Sequence, residues 1–385
     1  MSEYGPELRA HFGLEDGVTY LNHGAYGLTP LEVMKAQRNW RQRIERQPAR
    51  FYANELPDLI RKAIAPLARL VGADPERTVL LENTTAGLNA VLRSLSFAPG
   101  ERVVTTSHVY DSAREIVRYR GLRTGVELVE VPVPMPLTDH AEILEPLVAE
   151  LTPRTRLVII DHVTSPSALI MPVAEIVAAC RERGIPVLVD GAHAPGMLDL
   201  DVTAIGAHWY VGNAHKWLSS AKGAAFLVAA PDAPPIHPAV ISHAYGQGLV
   251  AEFGKIGTRD PSAWLSLPKA VAVHEQLGGA KMRARNRAVA NEAGTALAAA
   301  LGTSLAGGDG LHAAMVTIRL PDAGPATPAR AAAIRDALWE LHQTEVAVKA
   351  LGEALLLRIS VHAYNAAEEV TGLAEPLTAI LAEGS

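Results

Sequence analysis

An aspartate and a lysine 26 residues apart, each placed just beyond a short apolar run, constrain this chain more than any other feature. The run 185–189 leads into Asp190 and reads as a buried parallel strand with the carboxylate at its C-terminal edge. Open α/β sheets bind their ligands at that edge. Residues 207–211 form a second apolar run, and Gly212 marks a turn that carries Asn213, His215 and Lys216. The acid and the amine can therefore meet over one flat ligand. Pyridoxal phosphate asks for that pair: a lysine to form a Schiff base and a carboxylate against the pyridinium nitrogen. A metal held by Asp190, His193, His208 and His215 is the alternative, and it leaves the neighbouring lysine without a role. A solvated loop acid and a surface lysine are the plainer alternative for any such pair.

A chain of 385 residues can bury a large core, and 49% hydrophobic with 20% charged residues is an ordinary globular mixture. The net charge of −6 argues against nucleic acid or an anionic membrane as the main partner and leaves small molecules as the expected one. The opening MSEYGPELRAHFGLEDG carries acids and no apolar centre, so no secretory signal is predicted, and no apolar run reaches the length of a membrane span. Cys180 is the single cysteine. It permits no intrachain disulfide, which suits a reducing cytoplasm.

Strand and helix patterns alternate from 78 to 228, predicting a mostly parallel sheet covered on both faces. Neither a G-x-G-x-x-G turn nor a G-x-x-x-x-G-K loop accompanies it, which disfavours a nucleotide-binding fold. A strand at 79–81 runs through Asn83, Thr84 and Thr85 into a helix, and such a turn offers free N–H groups to a phosphate as readily as it offers a plain cap. The strand in ERVVTTSHVY ends at His108 and Tyr110, either of which could stack on a flat ring or close the strand. Another strand at 156–161 opens into Ser165-Pro166, and the helix after it, 172–183, carries Cys180 as a small core residue. One long helical stretch is expected from about 263 to 301. Beyond 310 come a strand at 313–320, a helix at 328–342, strands near 346–348 and 355–361, and a last helix. Arg358 interrupts the apolar run LLLRISV. Buried there it needs an anion, either a substrate carboxylate or a structural acid.

The block DGAH followed by GNAHKWLSSAKGAAFL resembles the fold-type I pyridoxal-phosphate enzymes of aminotransferase class V, and within them the isopenicillin N epimerase-like group. The likeness runs from YLNHGAYG to RISVHAYN. It implies an α/β large domain over residues 30–280, with a mostly parallel sheet covered by helices. A small α+β domain would be built from residues 1–29 and 281–385. It further implies pyridoxal 5'-phosphate on Lys216, with Asp190 at the ring nitrogen, His193 and Ser165 toward the ring hydroxyl, and Tyr110 stacked on the ring. Thr84 and Thr85, with Asn213 and His215 flanking, would hold the phosphate. Gly257-Thr258 would reach the phosphate of a second subunit, making the working unit a homodimer. Arg358 would take the substrate α-carboxylate, with Asn22 and His23 lining the substrate side.

These assignments lead to an enzyme acting at the α-carbon of an amino acid, of the epimerase or aminotransferase kind. A C–S lyase working by β-elimination, a pyridoxal-phosphate-binding protein without turnover and an α/β protein without the cofactor are the alternatives. Epimerisation needs a proton donor on the face opposite Lys216, for which Tyr110, His108 and His23 are the candidates. A cysteine desulfurase is not expected, because a sulfur-carrying thiol is required and Cys180 alone is available, with none between 310 and 385.

Overall fold

The computed structural model describes residues 4–321 and 325–383. The remaining residues, 1–3, 322–324 and 384–385, belong to the small domain expected above and lie outside the description. Its strands are β1 (Thr19–Tyr20), β2 (Thr78–Leu81), β3 (Arg102–Thr106), β4 (Glu127–Val131), β5 (Thr155–Asp161), β6 (Val187–Asp190), β7 (Trp209–Asn213) and β8 (Ala225–Ala229), followed by β9 (Met315–Arg319), β10 (Thr344–Glu345), β11 (Ala347–Leu351) and β12 (Ala354–Ser360).

Seven of them form one sheet in the order β2-β8-β7-β6-β5-β3-β4. Pairing is parallel from β7 through β6, β5 and β3 to β4, and β8 is antiparallel to both of its neighbours. The antiparallel steps on either side of β8 leave β2 pointing the same way as β7. Six strands therefore deliver their C-terminal ends to one rim.

Residue alternation supplies a core on each face of this sheet. Val158, Ile160, Val187, Val189 and Tyr210 point to one side, where the helices Leu56–Val71 and Val173–Arg181 pack. Leu157, Ile159, Leu188, Trp209 and Val211 point to the other, against the helices Thr84–Ser94 and Asp111–Thr124. Strands buried on both faces read as nearly continuous apolar runs, which is how these appear in sequence.

A second core gathers around the three-stranded antiparallel sheet β11-β12-β9, with Ile318, Leu357, Ile359, Ile334 and Leu377 among its buried members. The N-terminal segment joins it: β1 pairs in parallel with β10, and Leu21 is fully buried in that core. The helical stretch expected from 263 to 301 is three helices, Ser262–Leu265, Leu267–Gln276 and Ala280–Ala300. Gly278 and Gly279, at φ of 105° and 49°, break it with backbone conformations that other residues rarely adopt.

Candidate active site

Register places the chemistry. Asp161 at the end of β5 pairs with Asp190 at the end of β6, which pairs with Val211 of β7, and β7 continues through Asn213 into the loop that carries Lys216. Gly212 thus lies inside the strand and not at its turn, because a Cβ there would sit 2.6 Å from the ring of Phe226. Ala214 and His215 bond back to the Ala224 carbonyl, closing the loop.

The half-buried Lys216 holds its amine 3.2 Å from His193 Nε2. The indole N–H of Trp217 donates to His193 Nδ1 at 3.3 Å. That bond makes Nδ1 an acceptor and puts the imidazole proton on Nε2, where a neutral amine can accept it. Burial, then the charge of Arg358, push Lys216 down to about 7 despite the opposing pull of Asp190 and Asp161, with Lys349 pushing the same way. A neutral amine near pH 7 is the nucleophilic form.

Asp190 is 2% exposed; its Oδ1 accepts the Ala192 N–H at 2.9 Å and its Oδ2 has no partner. Asp161, 3% exposed, leaves its Oδ2 equally unpaired. Burial raises both carboxyls, and Asp190 raises Asp161 further. Two buried acids side by side want a cationic N–H between them and the ligand.

Tyr110 stands across from the lysine, with Lys216 Nζ 5.9 Å from its ring centroid. A flat ring stacked at van der Waals distance fits between amine and phenol. His108 does not compete for that place. It is buried, and its Nδ1 meets Ser167 Oγ at 2.8 Å, which in turn meets Thr164 Oγ1 at 2.7 Å.

At the phosphate end expected above, Thr84 gives its N–H to Asn213 Oδ1 at 3.1 Å, and Asn83 Oδ1 accepts that of Ala86 at 2.9 Å. Asn213 therefore fastens the helix start to the end of β7. Thr85 Oγ1 lies 3.3 Å from Ser112 Oγ on the next helix, so two helix starts meet beside the rim. His215 is half-buried with Nδ1 donating to the Ala224 carbonyl at 3.0 Å. Thr258 is exposed on the segment after the helix Leu249–Gly254.

Ser165 and His23 both have partners within the protein. Ser165 is taken up by Arg358, whose Nη1 donates to its carbonyl at 2.7 Å and its hydroxyl at 3.1 Å, so it seats the guanidinium. His23 is wholly buried behind the lysine loop: Nε2 donates to the Lys216 carbonyl at 3.1 Å, and Nδ1 accepts from Tyr364 Oη at 2.7 Å. Its place is structural, and it touches no open space where a substrate could sit. Gly27, four residues on, approaches backbone, since a Cβ there would lie 2.2 Å from the His215 carbonyl oxygen. Asn22 does reach the guanidinium, accepting from Arg358 Nη2 at 3.4 Å while donating to Glu345 at 2.9 Å.

Arg358 is 3% exposed, keeps an unpaired Nε, and burial lowers it to about 10. No ion pair to a carboxylate is formed by it among the described residues. A buried arginine left without an acid can bind a carboxylate.

The aminotransferase class-V family pattern matches residues 19–373. This chain is a class-V aminotransferase-family protein. It is 37% identical to isopenicillin N epimerase of Streptomyces clavuligerus over 98% of each chain. It is 35% identical to a putative L-cysteine desulfhydrase 1 of Oryza sativa subsp. japonica over 82% of this chain and 70% of that one. In fold it superposes on the C-DES mutant with glycine covalently linked to its PLP cofactor, at a TM-score of 0.80 and 23% identity over 96% and 98% of the two chains. A cysteine desulfurase from Thermococcus onnurineus gives 0.79 and 20% over 100% and 99%. The architecture is that of fold-type I, and the cofactor of this class-V protein is pyridoxal 5'-phosphate. Its residues fit that group: an amine whose pKa burial lowers, an orphaned buried carboxylate oxygen, a facing aromatic ring and paired helix starts.

The exclusion of cysteine desulfurases is overturned by these relatives, which include desulfhydrases and, in fold, desulfurases. That exclusion rested on the lack of a sulfur-accepting thiol other than Cys180, with a C–S lyase kept as an alternative. Loss of a β-sulfur after removal of the α-proton needs only a base and an electron sink. Cys180 is buried, and its thiol is pushed up to about 12.

Asp161, Trp217 and Lys349 lie among these groups without having been singled out by the sequence. Asp161 carried the same signal as Asp190, an acid ending an apolar strand. Lys349 alternates with apolar residues on β11, the strand paired with that of Arg358.

Proposed function

We propose that this protein removes the α-proton of an amino acid, with Lys216 as the proton carrier and Arg358 as the clamp for the α-carboxylate. Bound pyridoxal phosphate supplies the electron sink for the charge left at the α-carbon. The observation that carries the reading is the convergence of a lysine held beside His193, its pKa lowered by burial, with a buried arginine that lacks an acid. His193 orients the amine, and Trp217 holds His193 in the tautomer that does so. Asp190 would hold the ring nitrogen of bound cofactor at its free oxygen, and Tyr110 would cover the face opposite Lys216. Asn22 and Ser165 keep the guanidinium in place.

Proton return to the opposite face gives epimerisation, the outcome supported by the full-length likeness to isopenicillin N epimerase. Tyr110, with its hydroxyl raised by burial and therefore protonated, is the donor on that side. The desulfhydrase relatives favour a second outcome, β-elimination of sulfur, for which Lys216 suffices. The working unit is a homodimer in which the exposed Thr258 completes the neighbouring site.

Incubation with L-amino acids in deuterated water tests both outcomes. Deuterated D-isomer establishes the epimerase, whereas pyruvate, ammonia and a released thiol from cysteine or its conjugates establish the lyase. No α-hydrogen exchange with any amino acid, in a protein loaded with cofactor, refutes the proposal.

A further inference from the structure

Ser165 is asked to serve two cations. Besides Arg358, it has Lys349 Nζ 3.5 Å from its hydroxyl oxygen. The two cations share a face of the small sheet: Arg358 pairs with Ala347, and Lys349 lies two positions farther along the same strand. Lys349 is half-buried and forms no ion pair with a carboxylate among the described residues. The one acid that acts on it electrostatically, Asp111, is exposed and already paired with Arg114. Burial and Arg358 bring Lys349 down to about 8, which leaves it mostly charged at neutral pH.

The placement of these groups shows what is missing. Asp190 and Asp161 end neighbouring strands near Lys216, and one α-carboxylate would satisfy Arg358. Lys349 remains a cation with only a neutral hydroxyl beside it, a costly arrangement in a partly buried site. The geometry points to Lys349 as the binding group for a second anion, so that the preferred substrates are amino acids with an acidic group beyond the α-carboxylate. This inference rests on the role given to Arg358 above.

The test uses the cofactor-loaded protein, its Lys349→Met variant, and two probes that undergo no chemistry: glutarate and butyrate, titrated by calorimetry. A charge-assisted contact predicts that the native protein binds glutarate about tenfold or more tighter than butyrate. In Lys349→Met glutarate should fall to the butyrate level with butyrate itself unchanged, and Lys349→Arg should restore the difference. An unaltered cofactor absorbance in the variants shows that the site is still folded. Equal binding of the two probes by the native protein, no binding of glutarate, or a loss of both probes in Lys349→Met overturns the inference, the last because Lys349 would then share the α-carboxylate. Proton exchange at the α-carbon is measured separately. Failure of exchange with diacid selectivity intact would sink the α-proton reading and spare the second-anion site.

Discussion

Lys216 shows how the state of one side chain is set by groups that are far away in sequence. Removed from water and placed near Arg358 and Lys349, its amine loses its proton at about 7, well below the usual 10.5 of a lysine. The neutral form is the one that attacks an aldehyde, so capture of pyridoxal phosphate by the apoprotein should accelerate as pH rises through about 7 and then level off. Stopped-flow absorbance across pH 5.5 to 9.5 checks this; these limits span roughly the protonation range expected of the group. A rate still climbing steeply toward pH 10 would mean an ordinary solvated lysine. Replacement of Arg358 by Met removes the larger of the two cationic influences and should move the midpoint upward.

At the scale of elements, the N-terminal loop and the lysine loop are held by backbone contact. Gly27 has φ of 69°, and a Cβ added there would lie 2.2 Å from the His215 carbonyl oxygen and 2.6 Å from that of Lys216. Backbone atoms cannot step aside as a flexible side chain can. Gly27→Ala is therefore expected to cost on the order of 3 kcal/mol and to impair cofactor binding by displacing Lys216. At Gly24 the nearest atoms are side-chain ends, Met315 Sδ and Ser360 Oγ at 2.9 Å, so Gly24→Ala should cost less. Urea unfolding and cofactor absorbance of the two variants test the order, and a Gly27→Ala protein with native stability and native cofactor content would refute it.

For the molecule as a whole, the open question is how many copies make one working site. Exposed apolar side chains crowd the segment that precedes Thr258, with Val240 55%, Ile241 57%, Tyr245 61% and Val250 43% exposed. Large apolar groups left in water together mark surfaces that another chain covers. Sedimentation under assay conditions should show a dimer, and Thr258→Ala should loosen pyridoxal phosphate by about tenfold while leaving Lys216 reactive. A fully active monomer would exclude the shared site.

Local pattern alone was enough for the sheet, because strands buried on both faces must be written as apolar runs and their ends must carry whatever the rim needs. The same pattern singled out Asp190, Lys216 and the turn at Thr84, and with them an arginine too costly to bury without an anion. Tertiary structure decided what the side chains at the rim do. His108 and Tyr110 share a strand-end pattern, yet packing sends one to Ser167 and leaves the other facing Lys216. His23 reads as a ligand residue beside two glycines and is instead a buried strut under the Lys216 carbonyl. Ser165 and Lys349 are 184 residues apart and meet only because β11 of one core faces the loop after β5 of the other. Periodicity encodes which face of an element is buried, whereas a hydrogen bond between distant segments depends on how those faces are brought together, and no local stretch of chain contains that information.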